Sequence, residues 1–182
     1  MEQFDPSPET YERVIGLRVV RMFRPEPIED EQLQKILEAG RWTGSSKNTQ
    51  PWAFVVLTDP GDRQRLAECG SFTGPLVGAS LVVVIIRLPG GGDFDMGRAA
   101  QNMMEAAAAL GIESCPVTLH RESCARDRLH VPEDHGCRYA LAFGYPDLDG
   151  ERQLREGLRS TIPRGRKPLT SLVHYGTFSE IP

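Results

Sequence analysis

Residues 81–86 read Leu-Val-Val-Val-Ile-Ile, six large apolar side chains without a break. β-Branched residues are stiff at χ1 and pack best on a pleated surface, so this run is the strongest strand signal in the chain. A second apolar run, Ala53-Phe-Val-Val-Leu57, continues into Thr58. It is apolar at odd and even positions alike, which predicts a strand covered on both faces and central in its sheet. Tyr139-Ala-Leu-Ala-Phe143 predicts another strand, closed by Gly144-Tyr-Pro146. Three or four strands mixed with helical stretches, in no regular β-α-β alternation, predict an α+β fold rather than a doubly wound sheet.

The helical stretches carry their own start and stop signals. Ser7-Pro8-Glu9 supplies a hydroxyl cap, a proline at the first position and an acid, ahead of an apolar face at Tyr11, Val14 and Ile15. Gly16-Leu17-Arg18 ends that helix, and Pro25 and Pro27 keep the next stretch extended. Asp30 caps a second helix, with Leu33, Ile36 and Leu37 at helical spacing and Gly40 near its end. Asp59-Pro60 opens a short third helix carrying Leu66 and Ala67. Met96, Ala99, Ala100, Met103, Met104, Ala107 and Leu110 mark a long helix, apolar most of the way round and closed by Gly111. Such a helix is buried, and its alanines allow close packing in the core or across a subunit boundary. Arg121–Leu129 reads as a short charged helix. Leu88-Pro-Gly-Gly-Gly-Asp93 has no Lys-Ser/Thr after its glycines and no G-x-G-x-x-G, so it reads as a connection, not a phosphate loop.

Length and charge narrow the possibilities. A chain of 182 residues suits one domain, 1–182, with a sizeable core. The net charge of −4 argues against nucleic acid as a partner. There is no apolar run of the roughly 18 residues that a membrane span requires, and the N-terminus lacks the basic and apolar regions of a signal peptide. A cytoplasmic location is the expectation. Four cysteines, at 69, 115, 124 and 137, include no Cys-x-x-Cys pair, so they are expected as reduced thiols. Cys115, His120, Cys124, His130, His135 and Cys137 lie close in sequence but lack the close pairs of zinc modules. Residues 147–168 are rich in Arg and Glu and poor in large apolar residues. They cannot build a core of their own and must lie on the body or on a neighbour.

Between the second helix and the run at 53–57 stands Gly44-Ser-Ser-Lys-Asn-Thr-Gln-Pro-Trp52. Small polar residues with Gly and Pro disfavour helix and strand interiors, so this is a loop that delivers the chain into a strand. Asn48 and Gln50 each offer an amide donor and acceptor, which suits the edge of a planar heterocycle. A polar turn capped by a core Trp52 would look the same. Other motifs in the chain bear on the choice. Ser45-Ser-Lys-Asn-Thr-Gln-Pro-Trp52 resembles the S-S-x-N-x-Q-P-W signature of the FMN-dependent nitroreductase family. Arg18-Val-Val-Arg21-Met-Phe23 with Pro27 resembles the family's opening R-S-x-R-x-F…P. Gly111-Ile-Glu-Ser-Cys-Pro116 and Gly144-Tyr-Pro146 are similar to its G-L-x-S-x-P and G-x-P segments. Arg164-Gly-Arg166-Lys-Pro168 with Val173-His174 resembles its basic tail. The matches run in family order from about residue 14 to residue 178.

The resemblance implies a central sheet packed by helices, in an intertwined homodimer with FMN at the interface. The tail, about 150–182, would extend onto the partner subunit. Arg18, Arg21, Arg164 and Arg166 would converge on the FMN phosphate, as bidentate guanidinium groups suit it. Val19 stands where the family commonly has a Ser that also contacts the phosphate, which removes one hydrogen bond worth about 1 kcal/mol. Ser46 would contact the cofactor, and Asn48 and Gln50 would meet the pyrimidine edge of its ring. A backbone N–H at Val117 or Thr118, just past Pro116, would serve flavin N5. The family often has Gly close to Thr118, whose side chain would narrow the space over the ring.

The implied activity passes a hydride from NADH or NADPH through flavin N5 to a nitroaromatic, a quinone or a similar small-molecule electron acceptor. The chemistry belongs to the cofactor and demands no catalytic acid or base. Two alternatives share the scaffold: an FMN-binding store or sensor with little turnover, and a specialised flavin enzyme such as a reductive dehalogenase or a flavin-cleaving enzyme. Tyr145, Tyr175 and Phe72 read as ordinary packing aromatics rather than lids.

Overall fold

Four strands are present: β1 (Trp52–Leu57), β2 (Leu81–Arg87), β3 (Glu113–Thr118) and β4 (Gly136–Gly144). They form one antiparallel sheet in the order β1-β2-β4-β3 in this computed structural model, which describes residues 7–157 and 165–178. β2 lies inside the sheet and its first six residues are buried. β1 lies at an edge, not at the centre as its apolar run suggested. The reason is that the run registers covered faces, not paired edges. Val55 and Leu57 pack on one side of the sheet, and Trp52, Phe54 and Val56 on the other.

Helices cover both faces. α2 (Asp30–Arg41) and α5 (Asp93–Ala109) pack on one side through Ile36, Met96, Met103 and Ala107 against Val83, Ile85, Leu141 and Phe143. α3 (Pro60–Ala67), α4 (Gly74–Gly78) and α6 (Glu122–Leu129) pack on the other through Leu66, Leu76 and Ala125 against Val82, Val84, Ala140 and Ala142. The antiparallel ladder with helices on both faces gives the expected α+β class. The start signals mostly hold. Ser7 Oγ accepts from Thr10 N at 3.3 Å at the head of α1 (Pro8–Gly16), and Asp59 Oδ1 from Asp62 N at 3.0 Å at the head of α3. α2 begins one residue off expectation. Its cap is Glu29, whose N–H donates to Gln32 Oε1 at 3.2 Å, so Asp30 is the first helical residue.

Two elements carried little sequence signal. β3 holds Pro116 at its middle, which masks a strand pattern. α7 (Leu148–Gly157) lies in the polar stretch, with Glu151 as its buried residue. The cysteine expectation is corrected too. Cys69, just past α3, and Cys124, in α6, form a disulfide with their Cα atoms 5.5 Å apart. The two helices pack side by side, and Arg121 N donates to Cys69 O at 2.9 Å. Fifty-five residues of sequence separate the pair, so spacing could not reveal it. Cys115 and Cys137 are free and buried.

Met1–Glu151 forms one compact unit and Arg152–Pro182 a second. Within the second, a short 3₁₀ turn spans Leu169–Ser171, and the His174 and Phe178 rings lie 4.6 Å apart. Leu169, Tyr175 and Phe178 are 74%, 93% and 80% exposed. Among the described residues no helix is long and apolar enough to cross a membrane.

Candidate functional site

β3 is an edge strand whose outer side is only partly taken. Leu119 N donates to Arg138 O at 2.8 Å, and Val20 N donates to Ser114 O at 3.0 Å from the other side. The alternation of an antiparallel ladder therefore turns residues 115, 117 and 119 toward β4 and residues 114, 116 and 118 outward. Pro116, with no N–H to give, occupies an outward position, where a strand tolerates it. The Thr118 N–H also points outward, and no described residue accepts from it.

The N-terminal segment covers the rest of this edge. Val19 bridges to Ser114 in parallel, and Arg24 N then donates to Tyr145 O at 2.8 Å. Phe23 lies over Gly144, where a Cβ would come within 2.8 Å of the Phe23 Cβ. The Gly144-Tyr-Pro146 motif is thus a seat for the N-terminal segment. Its effect is to hold Arg18 beside the outer edge of β3.

Two adjoining clefts run along that edge. One, of about 420 Å³, is bounded by Gly97 and Ala100 of α5, residues 116–118 and Tyr139. The other, of about 360 Å³, is bounded by Leu17, Arg18, Val19, Gly97, Ala100 and Pro116. They share Gly97, Ala100 and Pro116, so they form one groove with Arg18 at one end and Thr118 at the other. Each has the size of a small-molecule site, about 300–1,000 Å³. Gly97 forms part of the floor, and a Cβ there would project into open space. Arg18 donates from Nη1 to Ile15 O at 2.7 Å and Leu17 O at 2.8 Å, which leaves Nη2 and Nε without a protein acceptor among the described residues. At the far end Tyr139 donates to Asp93 Oδ2 at 3.2 Å. Burial, with Asp93 beside it, raises the Tyr139 hydroxyl pKa and keeps it a donor.

The other expected site residues are placed differently. Val117 is buried within β3, while Thr118 is half-buried in the groove wall. Arg21 does not line the groove. Its guanidinium lies 3.9 Å from Glu151, whose Oε2 also accepts from the backbone N of Arg21 at 2.8 Å and of Met22 at 3.3 Å. Ser46, Asn48 and Gln50 are not among the residues that bound the groove. They sit on an exposed turn that α5 anchors, with Asn102 Nδ2 donating to Thr43 Oγ1 at 2.9 Å and Arg98 Nη1 to Gly44 O. Lys47, Asn48 and Gln50 all have positive φ, at 53°, 55° and 47°. That costs roughly 1 kcal/mol or more per L-residue, and strain of this kind gathers at ligand clamps and active sites. Arg164 lies outside the described residues. Arg166 belongs to the second unit, where its Nη1 donates to Gly165 O at 3.3 Å.

The aromatics divide. Tyr145 packs as expected, its hydroxyl donating to Gln32 Oε1 at 2.9 Å. Phe72 does not pack as expected: it is 82% exposed, with its ring edge-on to His120. The buried thiols take no part in the groove; burial pushes Cys115 and Cys137 up to about 11, so neither is a nucleophile at neutral pH. Sequence reasoning missed Gly97 and Glu151. A glycine inside a helical pattern was a signal for the first. Nothing distinguished Glu151 from the other acids of its stretch.

The Nitroreductase family model matches residues 17–69 and 90–145. Those spans hold the N-terminal segment from residue 17, the 44–52 loop, α5 and β3. An NADPH-flavin oxidoreductase of Vibrio harveyi is 26% identical over 192 residues, covering 94% of this chain and 75% of its own. In three dimensions the chain is similar to an FMN-dependent nitroreductase from Clostridium difficile, with a TM-score of 0.75, 23% identity and coverage of 92% and 99%. It is also similar to the NADPH:FMN oxidoreductase from Vibrio harveyi complexed with NAD+, with a TM-score of 0.82, 24% identity and coverage of 95% and 79%. The likeness to these structures shows a shared fold, and the family match extends over more than half the sequence. On that match the chain belongs to the nitroreductase family.

Proposed function

We propose that the groove from Arg18 to Thr118 holds FMN, and that the protein is an NAD(P)H-dependent oxidoreductase acting on a nitroaromatic, quinone or similar acceptor. The observation that carries this reading is the groove's chemistry. It has a guanidinium with spare donors at one end, an outward backbone N–H at the other, and a floor kept bare by Gly97. A flavin mononucleotide needs an anion partner for its phosphate, a flat apolar surface for its ring and a donor at the ring edge. The residues present fit those needs. Family membership and the named activity of the Vibrio harveyi relative support the same assignment.

Bound FMN would supply the two-electron chemistry between the nicotinamide and the acceptor. The chain's part is to hold and shield it. Arg18 would pair with the phosphate, with Val19 beside it offering no hydroxyl. Thr118 N–H would donate at the ring edge, with Pro116 and Val117 alongside. Small side chains at 97 and 100 would let the ring lie close to α5 and exclude water beneath it.

Ser46, Asn48 and Gln50 do not reach the groove of their own chain, yet the strained turn displays their polar groups outward. The reading therefore extends to a homodimer in which each FMN site draws on both chains. Tyr11, Val14 and Ile15 support it, because α1 buries none of its residues and leaves that apolar face uncovered. The exposed apolar residues of the C-terminal unit support it too, as material for docking on a partner and bringing Arg164 and Arg166 to the phosphate. In this arrangement Arg21 acts through Glu151 to fix the N-terminal segment.

Anaerobic rapid mixing of the FMN-loaded chain with NADH and NADPH tests the activity. Rapid loss of visible flavin absorbance, regained on adding a nitroaromatic or quinone, is the expected result. A protein that binds FMN but is not reduced by either nicotinamide on the time scale of seconds would contradict the oxidoreductase reading and leave the store or sensor in its place.

A further inference from the structure

We propose that a second cavity, adjoining the Thr118 end of the groove, is a subsite for an oxyanion, a carboxylate or phosphate carried by the molecule that occupies the groove. The inference rests on the functional reading above and extends it to substrate selection. The cavity is about 150 Å³ and is lined by Arg87, Asp93, Glu122, Arg138 and Tyr139, among others. It shares Asp93, Met96 and Tyr139 with the groove. It is too small for a whole substrate and large enough for one polar substituent.

The local backbone builds this cavity. In the β2–β4 ladder Ile85 faces Tyr139 and Arg87 faces Gly136, so Cys137 and Arg138 together oppose Ile86. The extra residue breaks the alternation, and Cys137 falls into the same cluster as Ala140 although they are three apart. Bulges of this kind re-aim side chains beside functional sites. Gly136 makes room for the result. A Cβ at 136 would lie 2.8 Å from Arg87 Nε and 3.1 Å from Nη2, so a larger residue would displace the guanidinium.

The distribution of donors points to an anion. Asp93 already accepts from the Tyr139 hydroxyl at 3.2 Å. Glu122 accepts from Cys137 N at 2.7 Å and lies 3.8 Å from Arg126. Both carboxylates of the cavity therefore have partners. Arg87 makes one long bond, from Nη1 to Gly91 O at 3.4 Å, and neither Arg87 nor Arg138 has an ion pair among the described residues. Two planar guanidinium groups with unused donors, beside a groove for a flat ring, suit an oxyanion better than a neutral substituent. The anion could belong to the acceptor, as a ring carboxylate, or to the donor, as the extra phosphate that distinguishes NADPH from NADH.

The test uses the FMN-loaded full chain and its Arg87→Gln and Arg138→Gln variants, with melting curves to confirm folding. Arg87→Lys serves as a charge-retaining control. kcat/KM is measured for 4-nitrobenzoate against 4-nitrobenzyl alcohol, and for NADPH against NADH with the neutral acceptor. One of these two ratios should favour the anionic member by about tenfold in the wild type, the effect of a hydrogen bond to a charged group. It should fall toward unity in both Gln variants and persist in Arg87→Lys; which ratio responds identifies the source. Calorimetric titration of benzoate and of inorganic phosphate needs no flavin. It should show binding to the wild type that both Gln variants lose. A protein that never takes up FMN would defeat the oxidoreductase reading while the calorimetry still judged the subsite. Both ratios staying within twofold of wild type in both Gln variants, with benzoate and phosphate heats unchanged, would overturn the proposal.

Discussion

Gly97 sits in the interior of α5, where glycine costs about 1 kcal/mol relative to alanine. Its Cβ would meet no neighbour, so packing does not explain the residue. The groove explains it. Gly97→Ala should raise thermal stability by roughly 0.5–1 kcal/mol and weaken FMN binding, because the new methyl stands on the groove floor. Melting curves of the apo protein and FMN titration read the two effects separately, and tighter FMN binding in the variant would remove Gly97 from the site. Glu151 shows the opposite character. It is buried, and it accepts from the backbone N–H groups of Arg21 and Met22 in the N-terminal segment. Glu151→Ala should cost about 2 kcal/mol by leaving those donors unpaired, in denaturant titration of the apo protein. A loss under half that figure would mean the segment is held by its other contacts. The ordered motifs single out Arg18 and Arg21 alike, and only Arg18 borders the groove. The sequence could not distinguish Arg18 from Arg21, because the partner of Arg21 lies 130 residues away.

At the scale of elements, legibility followed the range of the forces involved. Helix starts were readable because their caps are local, as at Ser7 and Asp59. β3 was not, because Pro116 spoils a strand pattern unless its position on an outer edge is known. β1 was readable as a strand but misplaced in the sheet, since its residues report burial by helices and not by neighbours in the ladder. The Cys69–Cys124 bridge was invisible for the same reason as the Arg21 partner. Closing a loop of that length removes entropy from the unfolded chain worth about 4 kcal/mol in the chain-entropy treatment. Cys69→Ser should therefore destabilise the protein by roughly 2–4 kcal/mol. Thiol titration checks the pairing directly. Protein prepared without reductant should show two reactive thiols in denaturant and four after reduction, given four cysteines in all. In the native state the two free thiols should react slowly below pH 9, because burial holds both near 11. The same shift means that any stability their burial contributes is complete below the unfolded thiol value and is lost as pH rises toward 11. Four thiols in unreduced, denatured protein would exclude the bridge.

At the scale of the whole molecule, composition predicts a C-terminal stretch that cannot build a core of its own, and Arg152–Pro182 forms a compact unit separate from Met1–Glu151. Composition could not supply an occupant for the exposed apolar residues of α1 and of the second unit; in the proposed dimer that occupant is another copy of the chain. Deleting residues 160–182 should therefore abolish both FMN retention and dimerisation, by light scattering with flavin absorbance. A truncated protein that stays dimeric and yellow would place the assembly contacts elsewhere. In the proposed function a guanidinium at the head of the groove holds a flavin mononucleotide by its phosphate. This contact is tested most directly by equilibrium titration of FMN and riboflavin into the apo full chain and its Arg18→Ala variant. The expected result is one FMN per chain, bound more tightly than riboflavin by about 2 kcal/mol or more, with most of that difference lost in Arg18→Ala. Equal affinity for FMN and riboflavin in the wild type would contradict it.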